Sequence, residues 1–393
     1  MDALPSVLRP VSGLGCAAIL ASALLLAGPA AHGSAQPSRA AAALPKPFIA
    51  QSITWVSSAR GWLLGQAKCA TSTRTCTTVL ATTNGGMTWS RAGTVSSPIA
   101  HSGGQGVTEI RFAGQRLGWA FGPGLFQTRD RGKTWTRKAI PGGGKQVLAL
   151  AATRTAAYAV VAPCPAGSAG TCKTPMGLWR APIGTHARAG KWRRIPVKLP
   201  ANFTAVVAAH GTSVYVVDPF GPGVGQADRF YASADGRTFT PRPDPCTKVP
   251  DSALTDVVAI SARRVDMLCV GNPGMSRATK VVFRSFDRAH HSSSAGDASA
   301  GNQGFGIQAE LAVSGTGNIV VASASSGDWI YLNRSGSAWT TVLALADGGL
   351  GWNDPVFSSA STAWVVNGPA GFTAAGKVYV SHNGGRTWVV AKL

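Results

Sequence analysis

The chain has 393 residues, enough for one large domain or two ordinary ones. A hydrophobic content of 45 % with only 13 % charged residues excludes a disordered polypeptide. The formal charge is +21, from 37 Lys and Arg against 16 Asp and Glu, which either draws the protein to polyanions or serves solubility.

After Arg9 the run from Leu14 to Ala27 is apolar and leads into Ala30-Ala31-His32-Gly33-Ser34-Ala35. That is the pattern of a signal peptide spanning 1–35, cleaved after Ala35 or Gly33. Cys16 sits at the start of the apolar run, the wrong end for a lipidated cysteine. No later apolar run approaches the ~18 residues of a membrane span. The expected location is therefore secreted or cell-envelope, with no transmembrane segment in the mature chain. Residues 36–47 read as a flexible leader. With Cys16 removed, an even set of cysteines remains in an oxidising compartment. Proximity pairs Cys69–Cys76, Cys164–Cys172 and Cys246–Cys269, one of several possible connectivities. No cysteine or histidine spacing fits zinc, so no metal site of that kind is expected.

From residue 48 onward one pattern recurs. An apolar strand is followed by a second strand often reading Gly-Trp-x-x-Gly, then a third that enters a turn and a fourth that leaves it. The turn is an octet, Ser/Thr-x-Asp/Asn-x-Gly-x-Thr-Trp. It stands at 82–89 with Asn84, Gly86 and Trp89, at 128–135 with Asp130, Gly132 and Trp135, and at 381–388 with Asn383, Gly385 and Trp388. A shorter copy at 233–239 carries Asp235, and worn copies lie at 285–291 and 333–339. The Asp or Asn side chain is expected to accept from a backbone N–H two residues on, while Gly takes the positive φ and the indole covers the turn. The aromatics after these turns recur about every 50 residues, the length of a four-stranded blade. Second strands beginning at Gly61, Gly118, Ala157, Val214, Met267, Ile319 and Ala363 give seven units independently.

The octet is that of the Asp-box, and the chain resembles the Asp-box (BNR-repeat) β-propellers of the sialidase-like superfamily. Its short blades also look like those of the photosystem II assembly and stability factor family. The resemblance covers most of 48–393. It implies an all-β fold: a single seven-bladed β-propeller of four-stranded antiparallel blades. It also implies that the octets face away from any site, so that Asp130 and Asp235 hold turns rather than catalyse. Arg129, Arg131, Lys133, Arg237, Arg334 and Arg386 would make that face basic, a docking surface for an anionic partner or a solvated rim.

Aligning the blades on their innermost strands puts Ser52, Glu109, Val147, Thr204, Asp256, Glu310 and Asp354 at one level. Glu109 and Glu310 are the only glutamates of the chain. In a propeller that level opens onto the central channel, where gathered carboxylates raise one another's pKa, bind a cation or basic group, or do acid/base chemistry. The alternative is that each caps loop N–H groups or pairs with an arginine such as Arg111. Loops between second and third strands, including 218–223 and 368–372, open on the same face.

A sialidase would need an arginine triad, a Tyr–Glu pair and an aspartate. Ile53-Thr54-Trp55-Val56 stands where that family has its Phe-Arg-Ile-Pro-like motif, and all the tyrosines fall in strands. The expected function is therefore an exported, non-catalytic binding or scaffold propeller, monomeric and without cofactor. Its partner would be an envelope protein or an anionic polymer or glycan, not nucleic acid. The alternative is a sialidase-like hydrolase of extracellular glycans acting through two of the ring carboxylates.

Overall fold

A computed structural model describes residues 47–69, 72–100, 104–167, 173–202, 204–219, 228–300, 304–346, 349–368 and 376–393. The expected signal peptide and leader, up to residue 46, lie outside the described residues, as do Cys172 and the loop stretches 220–223 and 369–372.

Seven antiparallel sheets follow one another along the chain, at 49–95, 109–137, 146–199, 206–241, 252–297, 308–345 and 352–390. Each is a meander of consecutive strands. The third adds a two-residue strand, Arg188–Ala189, folded back on its long third strand Met176–Gly184. The innermost strands are Ile49–Trp55, Glu109–Phe112, Gln146–Ala152, Val206–His210, Ser252–Ala259, Gln308–Val313 and Trp352–Phe357. Each adjoins the next, and the last adjoins the first. The expected seven-bladed, all-β propeller is what the chain forms, and no α-helix occurs among the described residues.

Burial explains the order. Second strands such as Ala156–Ala162 and Val265–Gly271 are buried along their whole length, so neighbouring blades must cover both faces. Trp62 of blade 1 stacks on Phe112 of blade 2 with ring centroids 3.8 Å apart. Where blade 7 meets blade 1, Trp55, Trp89 and Trp364 lie 5.0–6.0 Å apart. Among the described residues no strand is exchanged across that seam. Hydrogen bonds close it: Ala50 N donates to Gly376 O at 3.1 Å, and Asn353 Nδ2 donates to Gln51 O at 2.7 Å.

The octet turns share one geometry, which differs from the expected one. At 82–89 the Asn84 Oδ1 accepts from Thr88 N, four residues on, and Gly86 N donates to Thr82 Oγ1. The octets at 128–135 and 381–388 repeat this arrangement. Two consecutive residues with positive φ, such as Gly85 and Gly86, carry the chain further round than a β-turn would. A bond to the residue two on, Arg237 N, appears in the shortened turn at Asp235. The worn copy at 285–291 keeps the full pattern, with Arg288 and Ala289 both at φ 61°. Indoles cap the turns, Trp135 Nε1 donating to Gly132 O and Trp388 Nε1 to Gly385 O.

The disulfides Cys69–Cys76 and Cys246–Cys269 are formed. The first closes a loop between second and third strands. The second ties the segment after blade 4 to the buried second strand of blade 5.

Candidate functional site

An antiparallel meander puts the starts of the innermost strands and the loops between second and third strands at one end, and the octets at the other. At the first end Glu109, Arg111, Asp256, Glu310 and Asp354 line a single cavity of ≈ 330 Å³ on the central channel. Leu148, Leu150, Val206 and Val257 supply an apolar side to the same cavity.

Bulges help to aim these side chains. The innermost strands of blades 1, 5 and 7 each break register at Ala50/Ser52, Leu254/Asp256 and Asn353/Val356. Asp354 lies within the last bulge at φ 54°, left-handed backbone that aspartate tolerates better than most residues.

The carboxylates staple one blade to the next. Asp256 of blade 5 accepts from Leu311 N of blade 6 at 2.8 Å. Glu310 of blade 6 accepts from Asp354 N of blade 7 at 2.8 Å. Asp354 then accepts from Ile53 N of blade 1 at 3.0 Å and from the Ser52 hydroxyl. Ser52 Oγ in turn accepts from Ile110 N of blade 2 at 3.1 Å. Arg111 is the hub, donating to Asp354 Oδ1 at 2.6 Å and to Glu109 Oε2 at 2.8 Å. Its guanidinium sits among the carboxylates of the cavity.

Four carboxylates thus gather near one guanidinium, which pairs with two of them, Asp354 and Glu109. Burial pushes Glu109 up to about 7, against the pull of Arg111 and with help from Asp354 and Asp256. Burial likewise raises Asp256 to about 7, although two backbone N–H groups oppose it. Glu310, without an arginine partner, is raised well above the usual range by burial and then by its acidic neighbours. For Arg111 burial disfavours the charge, but Asp354, Glu109 and Glu310 outweigh it and hold the pKa above its ordinary value. Glu109 and Arg111 each keep 27 % of the side chain exposed, so the mouth is reachable.

Blades 3 and 4 do not match the sequence alignment. In blade 2, Trp119 pairs with Arg111 and Phe121 with Glu109. By the same register Val160 pairs with Ala149 and Val217 with Val206. Ala149 and Val206, not Val147 and Thr204, therefore stand level with the acids. The shift of two residues keeps the same face but moves the position by about 6.6 Å along the strand. Sequence reading also passed over Asn353, whose polar side chain in an apolar strand was the available signal.

The other candidates are structural. Asp228, Asp244 and Cys246 offer ligand atoms within 4.8 Å of one another. The Cys246 sulfur is in a disulfide, and the carboxylates accept from the N–H groups of Leu254, Asp228 and Cys246. Asp235 is held below the usual carboxylate range by the N–H groups of Thr238 and Arg237, as befits a turn anchor. Arg129, Arg131, Lys133, Arg237, Arg334 and Arg386 are all exposed on the octet face. Among the described residues no helix is long and apolar enough to cross a membrane.

No family model matches the chain, and none of the curated proteins matches it. Solved structures do. One described as YCF48 bound to D1 peptide is 14 % identical, with a TM-score of 0.53 over 86 % of this chain and 95 % of that one. The β-propeller domain of the trilobed protease from Pyrococcus furiosus is 9 % identical, with a TM-score of 0.50 over 89 % and 97 % of the two chains. The GH74 enzyme of Niastella koreensis, 14 % identical, reaches only 0.37 over 85 % and 61 % and carries no weight here. At such identities the likeness is one of fold: this chain is built on the β-propeller scaffold that these proteins share.

Proposed function

We propose that the chain is an exported, non-catalytic binding propeller of the Asp-box kind, whose acidic channel mouth receives a basic side chain of a protein partner outside the cytoplasm. The proposal includes the signal peptide at 1–35 and the leader at 36–47. One observation carries it: Glu109, Asp256, Glu310 and Asp354 surround one reachable cavity, and among the described residues Arg111 is the one cation lining it. The ring is fixed in advance by hydrogen bonds between blades, so a ligand meets preorganised carboxyl groups, and a basic side chain entering among them favours their ionised forms. The YCF48 structure, described with a bound D1 peptide, supports the idea that a scaffold of this shape holds a protein segment. The basic octet face adds a contact for an anionic envelope polymer or glycan.

Glycoside hydrolysis is the second reading, favoured by the presence of Glu109 and Asp256 near neutrality in one cavity, as a general acid requires. Against the sialidase mechanism, the described residues lining that cavity include no tyrosine and a single arginine. An envelope pull-down beside a panel of fluorogenic glycosides separates the two. The binding reading expects a partner that is lost on Glu109→Gln with Glu310→Gln, and no turnover. Turnover abolished by Glu109→Gln would replace it.

A further inference from the structure

We infer that the outer cleft between blades 3 and 4, at the octet end of the propeller, binds a phosphate monoester carried on a small organic group. This rests on the reading of the octet face as a contact for anions and gives that contact a place and a ligand class. It is independent of the acidic mouth at the other end.

The cleft holds a cavity of ≈ 510 Å³ whose charged lining residues are all cationic: Arg180, Arg193, Arg194 and Arg237. Arg180, on the third strand of blade 3 (Met176–Gly184), lies directly opposite Arg193 on the fourth (Arg193–Leu199) and opposite Tyr158 on the second. Directly opposed residues share one face of a sheet, and like charges so placed repel. That face packs on blade 4, where Tyr158, Ile195 and Val197 join Val214 and Val216 in one core. Blade 4 presents its shortened octet there. Gly236, at φ 65°, sits so close to the Tyr158 hydroxyl that a Cβ would overlap it, and the next residue is Arg237. Asp235 fixes the turn by accepting from Arg237 N and Thr238 N at 2.8 Å. Two opposed guanidinium groups of blade 3 thus meet a third from blade 4.

These charges have no counterpart in the protein. Among the described residues the ion pairs involve none of the four arginines. Arg180 Nε is buried without a hydrogen-bond partner, and Arg193, Arg194 and Arg237 are exposed. Unpaired guanidinium groups held face to face cost stability, and an anion between them removes that cost. Their geometry selects the anion. Each guanidinium is a planar fork of N–H donors that matches two oxygens at once. The two oxygens of a carboxylate satisfy one fork. A phosphate monoester offers three terminal oxygens and a charge of about −1.5 to −2 at pH 7, so it meets forks from both blades. The volume lies within the range of small-molecule sites, about 300–1,000 Å³. It therefore admits the group that bears the phosphate, against Pro182, Ile195 and Pro196.

Glucose 6-phosphate is the probe, titrated calorimetrically into the full mature chain at fixed ionic strength. Glucuronate and a poly(glycerol phosphate) chain are titrated beside it. One glucose 6-phosphate per chain is expected, bound more tightly than glucuronate. Arg193→Gln and Arg237→Gln should each weaken it roughly tenfold, and Arg193→Lys less than Arg193→Gln. Arg334→Gln with Arg386→Gln, on the octet face of blades 6 and 7, should change nothing. Without ligand, Arg193→Gln should melt no lower than the parent, because it removes a repulsion; the same melt establishes that it folds. A lower melt would mean that this guanidinium is already engaged within the protein, and the site is overturned. Equal weakening by the Arg334 and Arg386 pair, or binding of the polymer alone, would leave a diffusely basic octet face and no built site. If none of the three ligands binds, the site and the octet-face reading fall together, and the acidic mouth is untouched.

Discussion

Replacing Asp354 with Ala tests the seam that closes the ring. The side chain is 8 % exposed and accepts from Arg111, Ile53 N and Ser52 in two neighbouring blades. Breaking a buried ion pair costs about 3–5 kcal/mol when one charge is left bare. Here Glu109 stays on Arg111 at 2.8 Å, which cuts that cost to about half. The orphaned Ile53 N–H adds about 1–2 kcal/mol, and alanine at φ 54° about 1 kcal/mol more. The expected loss is about 4 kcal/mol in equilibrium urea unfolding. Asp354→Asn keeps an acceptor and tolerates the backbone, so it should lose about 2 kcal/mol. If both variants fall within about 1 kcal/mol of the parent, these carboxylate staples do not hold the ring, and the reasoning is wrong.

Stability should fall with pH through neutrality. Glu109 and Asp256 are raised to about 7 in the folded protein, above the ordinary range of an unfolded chain. Such groups stabilise below their unfolded pKa and lose that contribution as pH rises through about 7. The melting temperature should drop between about pH 5 and 8, less so in Glu109→Gln; an unchanged or rising curve would refute the assignment. Loss of Cys246–Cys269, separated by 23 residues, should cost about 3.4 kcal/mol, against about 2.4 kcal/mol for Cys69–Cys76 at 7. Denaturant midpoints of the Cys→Ala pairs check both the size and the order. Gly86→Ala should cost about 2 kcal/mol, because its φ is 86° and a Cβ would lie 2.3 Å from the Trp364 ring. A melt equal to that of the parent would show that the blade 7 to blade 1 contact yields.

The wheel was legible because its punctuation is local. An octet states a turn, and a Gly-Trp second strand states a buried centre, so blades could be counted without knowing any contact. Even the worn copy at Asp287 folds as an octet, since Ser285 and Asp287 keep their hydrogen bonds when Ala289 replaces glycine. Height along the channel was harder to read. Glu109 and Glu310 mark their own level, but blades 3 and 4 carry only apolar residues there, and one strand bulge moves the count. The burial of Lys280, whose Nζ donates to Ala278 O and Gly304 O, was invisible for a different reason: it depends on which loop carbonyls lie beside the side chain, and no residue pattern states that.

Because Glu109 and Glu310 are the chain's only glutamates, ¹³Cδ-glutamate labelling yields a carboxyl spectrum with one signal for each of them. Their pH titration by NMR reports directly on whether the carboxylates crowd one buried mouth. The convergent mouth requires Glu109 to titrate near 7 and Glu310 well above the usual carboxylate value. Two independent titrations near about 4.3 would mean that the acids lie apart in water, and no binding centre would remain.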